Sequence, residues 1–454
     1  MTKLYSARWL MKASGDLSDG GGALAVEGDT LVGVGARAEL KSKFPEAAEE
    51  NFGEAVILPG FVNCHSHLEL TALRGFLEPV EGDYDAWLKR LSVARTTRMT
   101  EDDLYVSAAC GAAEALRAGV TCVGDASNDA RHVVRAVADA GLRGTVFQEV
   151  FGPDDRLAAE QLRALGEKVE AMRGAESARV RVGVSPHAPY SVGPALLELV
   201  TAYALEEGRP LMMHAAESRA EELFVRDGRG PFAEGLARRG IEWRAKGVST
   251  IRYLHSLGLL AARPLLAHCV RADDADIALV RDAGARVAHC PKSNAKLMHG
   301  HAPFKAFVRA GLRVGLGSDS VASNNACDLL EEARFAVLMS RARESSNDEG
   351  ASAVGPSEAL RAAALGGARA LGVEHLTGAL EEGLQADFAV VALDGAHQSP
   401  VHDAASALVF SSSGRDVRLT VVAGREVYRD GRVTTVDEER LRARLKEIGE
   451  KLRA

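Results

Sequence analysis

Two histidines separated by one residue, His65-Ser66-His67, follow an apolar run that ends Pro59-Gly60-Phe61-Val62-Asn63. On an extended chain, side chains two apart share a face, so both imidazoles point the same way and can chelate one ion. Alone, such a pair is as often ordinary polarity as a ligand pair. Two later positions change its weight: His214 closes Pro210-Leu211-Met212-Met213, and Asp319 follows Val314-Gly315-Leu316-Gly317-Ser318. Three nitrogens and one carboxylate oxygen, with a position left for water, suit zinc or ferrous iron better than magnesium or calcium, which take oxygen shells. The expected cofactor is one divalent metal ion per chain, zinc first and iron second. An open coordination position suits hydrolysis, because a bound ion can bring the pKa of water down to about 7.

Glu217 lies three residues after His214, close enough to lean over the same ion and shuttle a proton. The competing reading is a solvated acid at a helix start, where acids are common. His268 closes Pro264-Leu265-Leu266-Ala267, where it could hold an attacking hydroxide; His187 and His289 close two further apolar runs. Each of these could instead be a satisfied core histidine. Five histidine positions at strand ends, together with one aspartate, are hard to explain that way jointly. His132, His255, His299, His301, His375, His397 and His402 fall in helical or loop stretches and read as structural or solvated. Cys64, Cys269 and Cys290 adjoin three of the singled-out histidines, but strand alternation turns each to the opposite face, which makes them packing residues.

The elements that must position these groups alternate apolar, strand-like runs with longer amphipathic stretches, the pattern of βαβ units and a parallel sheet. Eight strands are expected, ending near Cys64, Asp125, Glu149, Pro186, His214, His268, His289 and Asp319, with helices over residues such as 101–118 and 357–371. Eight units predict an α/β fold, a (β/α)8 TIM barrel whose strand C-termini build the active site. Short runs near the N-terminus, such as Gly22 to Val26, and near the C-terminus, such as Val417 to Val427, predict a small β-sandwich formed by both chain termini. The expected division is residues 1–58 with 380–454 as the sandwich domain and 59–379 as the barrel. Arg343 to Gly350 reads as a mobile surface loop.

The chain has 454 residues, 46% hydrophobic, with a net charge of −8 and both signs interspersed, so no basic face is available to neutralise phosphates. Nucleic acid and membranes are therefore not expected partners, and a small-molecule substrate is. No signal segment or bilayer-length apolar stretch is evident, so the expected setting is cytoplasmic. Six widely spaced cysteines without a C-x-x-C pair read as reduced thiols. The chain is as compatible with a homodimer as with a monomer.

With these motifs in order (PGFVNCHSH at 59–67, HAAE at 214–217, LAHC at 266–269, VAHCPKSN at 287–294 and GLGSDS at 315–320) the sequence resembles the amidohydrolase superfamily over nearly its whole length. Members with two metals usually carry a carboxylated lysine on the fourth strand. Here Arg179 to His187 contains none, so the resemblance implies the mononuclear branch, with His65, His67, His214 and Asp319 as ligands, Glu217 as ring protonator and His268 orienting water. HAPYS at 187–191, HAAE and HCPKSN look like the adenine-nucleoside deaminases, which act on S-adenosylhomocysteine, methylthioadenosine or aminodeoxyfutalosine. HSHLE, with Glu69, is similar to the aminodeoxyfutalosine members of the menaquinone route, where an acid at that position would suit ribose hydroxyls.

The resemblance implies that water activated by the ion attacks C6 of the adenine ring while Glu217 protonates N1, and that Asp319 relays the water proton to the departing ammonia. His187 and His289 would touch the nucleoside, and Arg74 would meet an anionic 5′ substituent, although a surface arginine is the plainer reading. The combined H-x-E…P-C-x-x-C signature of cytidine-type zinc deaminases is absent, since the chain has no P-C-x-x-C. Guanine deamination, triazine hydrolysis or another heterocycle hydrolysis remains an alternative, as does a non-enzymatic barrel scaffold for partner binding.

Overall fold

The computed structural model describes residues 1–344 and 354–453. The loop read over Arg343 to Gly350 lies mostly outside the described residues. Eight parallel strands form the barrel: β1 (Phe61–Ser66), β2 (Val120–Ser127), β3 (Arg143–Val150), β4 (Val180–Pro186), β5 (Met212–Ala215), β6 (Leu265–His268), β7 (Arg286–His289) and β8 (Arg313–Leu316). They pair as two four-stranded halves, β1 to β4 and β5 to β8. Parallel bridges Val184↔Leu211 and Ser66↔Asp319 close the ring. The second bridge extends β8 beyond its regular pairing and sets Asp319 beside the His65-Ser66-His67 strand.

Strands β1, β2 and β3 are buried at every residue, as expected where helices cover one face and the barrel core fills the other. Their helices carry explicit start and stop signals. Thr100 and Asp103 form a capping box before Glu101–Arg117, and Asp129 caps Ala130–Ala140, which ends on left-handed Gly141. The stretch expected as one helix over 357–371 is helical throughout, with a wide π turn at Ala362–Gly366.

Among the described residues, two further sheets lie outside the barrel. One is four-stranded and wholly N-terminal, from residues 3–51; the other is seven-stranded and joins the termini, with Ala55–Pro59 antiparallel to Phe388–Ala392. Tyr5, Leu24 and Leu31 from the first pack with Ile57, Phe388, Val390, Leu419 and Val421 from the second in one apolar layer, which makes the pair a β-sandwich. Gly424 is required where the sheets meet: its φ is +72°, and a Cβ there would lie 1.9 Å from the Gly28 carbonyl oxygen. No helix among the described residues is long and apolar enough to cross a membrane.

Candidate active site

The strand ends converge as the motif order implied. His67 Nε2 and His214 Nε2 lie 3.2 Å apart, and Asp319 Oδ1 is 3.4 Å from His65 Nε2 and 3.5 Å from His67 Nε2. Ligands arranged tetrahedrally at ~2.0–2.1 Å from an ion sit about 3.3 Å from one another, so these spacings fit a shared metal. The surroundings hold the donors in that pose. His214 Nδ1 donates to the His187 carbonyl at 2.9 Å, leaving Nε2 free, and His65 Nε2 is buried without a hydrogen-bond partner. Ser293 and Ser323 donate to Asp319 Oδ2 at 2.6 and 3.1 Å, so Oδ1 is the oxygen left facing the histidines.

Burial lowers the pKa of His65 and takes His67 well below the usual histidine value, and with the help of His65 it brings His214 to about 4. Each shift favours the neutral imidazole, the form a metal ligand must take. Burial alone would raise Asp319, but the neighbouring His65, 3.4 Å away, and the facing His268 hold it well below the carboxylate range. The three histidines form a set able to hold an ion, and His65, His268 and Asp319 form an overlapping one.

Glu217 and His268 face each other across this cluster, with Oε1 3.7 Å from Nε2. His268 Nδ1 donates to Asn294 Oδ1 at 2.9 Å, which aims Nε2 at the site. Burial opposes charge on both, yet Glu217 and Asp319 together raise His268, and His268 with His299 holds Glu217 far below its usual value. The backbone of this region is unusual. Ala216, His268, Cys269 and Asp319 all have positive φ without being glycine, and all sit just at or beyond strand ends. Glu221 accepts from the amides of Ala216 and Glu217 at 2.7 and 3.0 Å, which fixes one of these strained turns.

The other expected substrate contacts separate. His187 lines the pocket over the cluster, together with Glu149, Phe151, Tyr190 and Arg95. His289 is buried against Phe304 at a 5.0 Å centroid distance and is not among the pocket-lining residues. Glu69 is fully buried behind Arg95, whose Nη1 donates to it at 3.3 Å. Arg74 ion-pairs with Glu114 and faces a different groove beside Lys89 and Arg90, so it does not reach the pocket. Although Arg74 is close to Glu69 in the chain, the 3-10 turn Leu68–Leu73 sends the two in different directions.

Three groups that the sequence did not single out for the site are present in it. Tyr84, in helix α1 (Tyr84–Val93), donates its hydroxyl to Glu217 Oε2 at 2.7 Å. His299, read above as structural or solvated, places Nε2 3.3 Å from Glu217 Oε1. Arg95 sits between Glu69 and Glu149, the latter pushed up to about 8 by burial against the opposing pull of Arg95. No spacing in the sequence marks any of the three. The cysteines pack as expected; the Cys64 thiol, for example, donates to the Leu316 carbonyl at 3.0 Å.

A family profile described as the amidohydrolase family matches residues 56–427, and one described as an imidazolonepropionase-like composite domain of bacteria matches residues 22–47. The 5-methylthioadenosine/S-adenosylhomocysteine deaminase of Haloarcula marismortui is 33% identical over 401 residues, covering 88% of this chain and 87% of that protein. The crystal structure of a zinc-bound adenosine deaminase from Xanthomonas campestris superposes with a TM-score of 0.85 at 27% identity, over 99% of this chain and 98% of that one. The aminofutalosine deaminase of Helicobacter pylori, solved with methylthio-coformycin, shares the fold with a TM-score of 0.78 at 21% identity, over 94% of this chain and 100% of that one.

Proposed function

The chain belongs to the amidohydrolase family, as a hydrolase acting on C–N bonds other than peptide bonds, and from that premise we propose that it is a metal-dependent deaminase of an adenine nucleoside. Within that class, 6-amino-6-deoxyfutalosine is the substrate we put first. The observation that carries the reading is the pairing of Glu217 with His268 beside the His65, His67, His214 and Asp319 donor set. A divalent ion held by those four residues, zinc by preference, would supply a water acidic enough to ionise near neutral pH.

The remaining work falls to the chain. Glu217 takes a proton from the water as the water's oxygen adds to C6, and delivers that proton to N1 of the ring. His268 Nε2 hydrogen-bonds the same oxygen and stabilises the charge that develops on it. Asp319 passes the second water proton to the amino group, the C6–N bond breaks, and ammonia leaves with an inosine-type product. His187, in the pocket wall, would meet the nucleoside.

Two supports bear on the 5′ group. The pocket lining includes the apolar and aromatic side chains Trp87, Leu88, Leu91 and Phe151, which suits an aryl substituent. The name of the Haloarcula relative favours a second reading, methylthioadenosine or S-adenosylhomocysteine. We also take residues 1–58 with 380–454 as the sandwich domain and 59–379 as the catalytic barrel, a division supported by the sheet pairing. Ammonia release by the zinc-loaded protein from 5′-substituted adenosines, with guanine and triazines as competing substrates, tests the reading. Turnover confined to guanine or triazines would overturn it.

A further inference from the structure

Glu217 has two carboxylate oxygens, and the structure treats them differently. Oε2 accepts the Tyr84 hydroxyl at 2.7 Å, and Tyr84 in turn lies 3.3 Å from the Tyr190 hydroxyl. Oε1 faces His268 Nε2 at 3.7 Å and His299 Nε2 at 3.3 Å. The Tyr84 ring is held edge-on by His299 at 4.6 Å and by Phe232 at 6.3 Å. Tyr190 is held by stacking on Phe232 at 3.9 Å. The phenol therefore has little freedom to leave the carboxylate.

We propose that Tyr84 is a positioning residue for the proton shuttle: by occupying Oε2 it reserves Oε1 of Glu217 for proton transfer. This rests on the deaminase reading above. The consequence extends along α1, because Tyr84, Trp87, Leu88 and Leu91 follow helical spacing and line the same pocket, continuing to Arg95 in the turn that follows. One helix thus grips the shuttle at its first residue and forms a wall of the pocket along its length. A substrate whose 5′ group fits that wall keeps the helix, and with it Oε1, in place, so the identity of the 5′ group is expressed in kcat more than in KM.

Tyr84→Phe removes the hydroxyl and keeps the ring packing. The expected result is a kcat lower by about 10- to 100-fold, with KM changed by less than about twofold and with zinc content and Tm as in the native protein. Trp87→Ala should reduce kcat for 5′-substituted adenosines more than for adenosine. An unchanged kcat in Tyr84→Phe, or a loss confined to KM in either variant, overturns the proposal. A readout that needs no turnover separates it from the deaminase reading. With 13C-labelled glutamate, the infrared difference between native protein and Glu217→Gln isolates the Glu217 carboxylate band. That band should shift in Tyr84→Phe; an unshifted band overturns the proposal whatever the substrate proves to be.

Discussion

The two ends of the barrel handle buried charge in opposite ways. At the base, Arg143 begins β3 and meets Asp387 of the terminal sheet at 3.0 Å, with side chains 2% and 0% exposed. Asp387 also accepts from the Ala423 amide at 2.6 Å, so the charge is fully met by protein. At the mouth, buried atoms of His65, Glu149 and His299 have no hydrogen-bond partner, and four non-glycine residues hold positive φ. The first arrangement is what a structural joint needs. The second carries backbone strain and unsatisfied polarity, which is the pattern of a site kept for function at the expense of stability.

Variants that attack the mouth should therefore lose activity and keep the fold, and those at the base should do the reverse. The largest effect is expected on removing metal with a chelator. Turnover should fall to background while far-UV circular dichroism is retained, and zinc should restore turnover; restoration by magnesium alone would contradict the donor assignment. Glu217→Gln should lower kcat by about 10²–10⁴-fold, the range for loss of a general acid–base, with Tm equal to or above that of the native protein. Denaturant titration that found this variant strongly destabilised would blur the contrast. Asp387→Ala should cost about 3–5 kcal/mol of stability by leaving Arg143 buried without its counter-charge, with kcat per folded molecule unchanged.

The smallest effect concerns pH. In the sandwich, hydrogen bonds from Arg429 hold Glu50 at about 2, and those from Arg37 hold Glu49 at about 2 as well, against burial that would raise both. Their folded values are depressed, so the stability they contribute is present above the usual carboxylate value of 4.5 and is lost as pH falls toward 2. The Tm difference between native protein and Glu50→Gln should accordingly shrink between pH 5 and pH 3 (roughly the span between those two values). A difference that grew on acidification would contradict the pairing.

Much of the mouth was legible in the sequence. Parallel strands buried on both faces leave continuous apolar runs, so all eight could be read from their ends, and a histidine or acid at the close of each run stood out against its neighbours. Tyr84, Arg95 and His299 left no such mark. They come from α1, the turn after it and the loop beyond Pro291–Lys296, where orientation is set by tertiary packing and not by a two-residue period. Arg74 and Glu69 show the converse: both are near His67 in sequence, yet one points outward and the other lies beneath Arg95.

The most direct test of the account is a steady-state measurement of ammonia release from 6-amino-6-deoxyfutalosine, methylthioadenosine, S-adenosylhomocysteine and adenosine by protein carrying one zinc per chain. The account predicts turnover of at least one of these adenine nucleosides, lost in Glu217→Gln while the zinc is retained. Zinc-loaded, folded protein that deaminates none of them would contradict it.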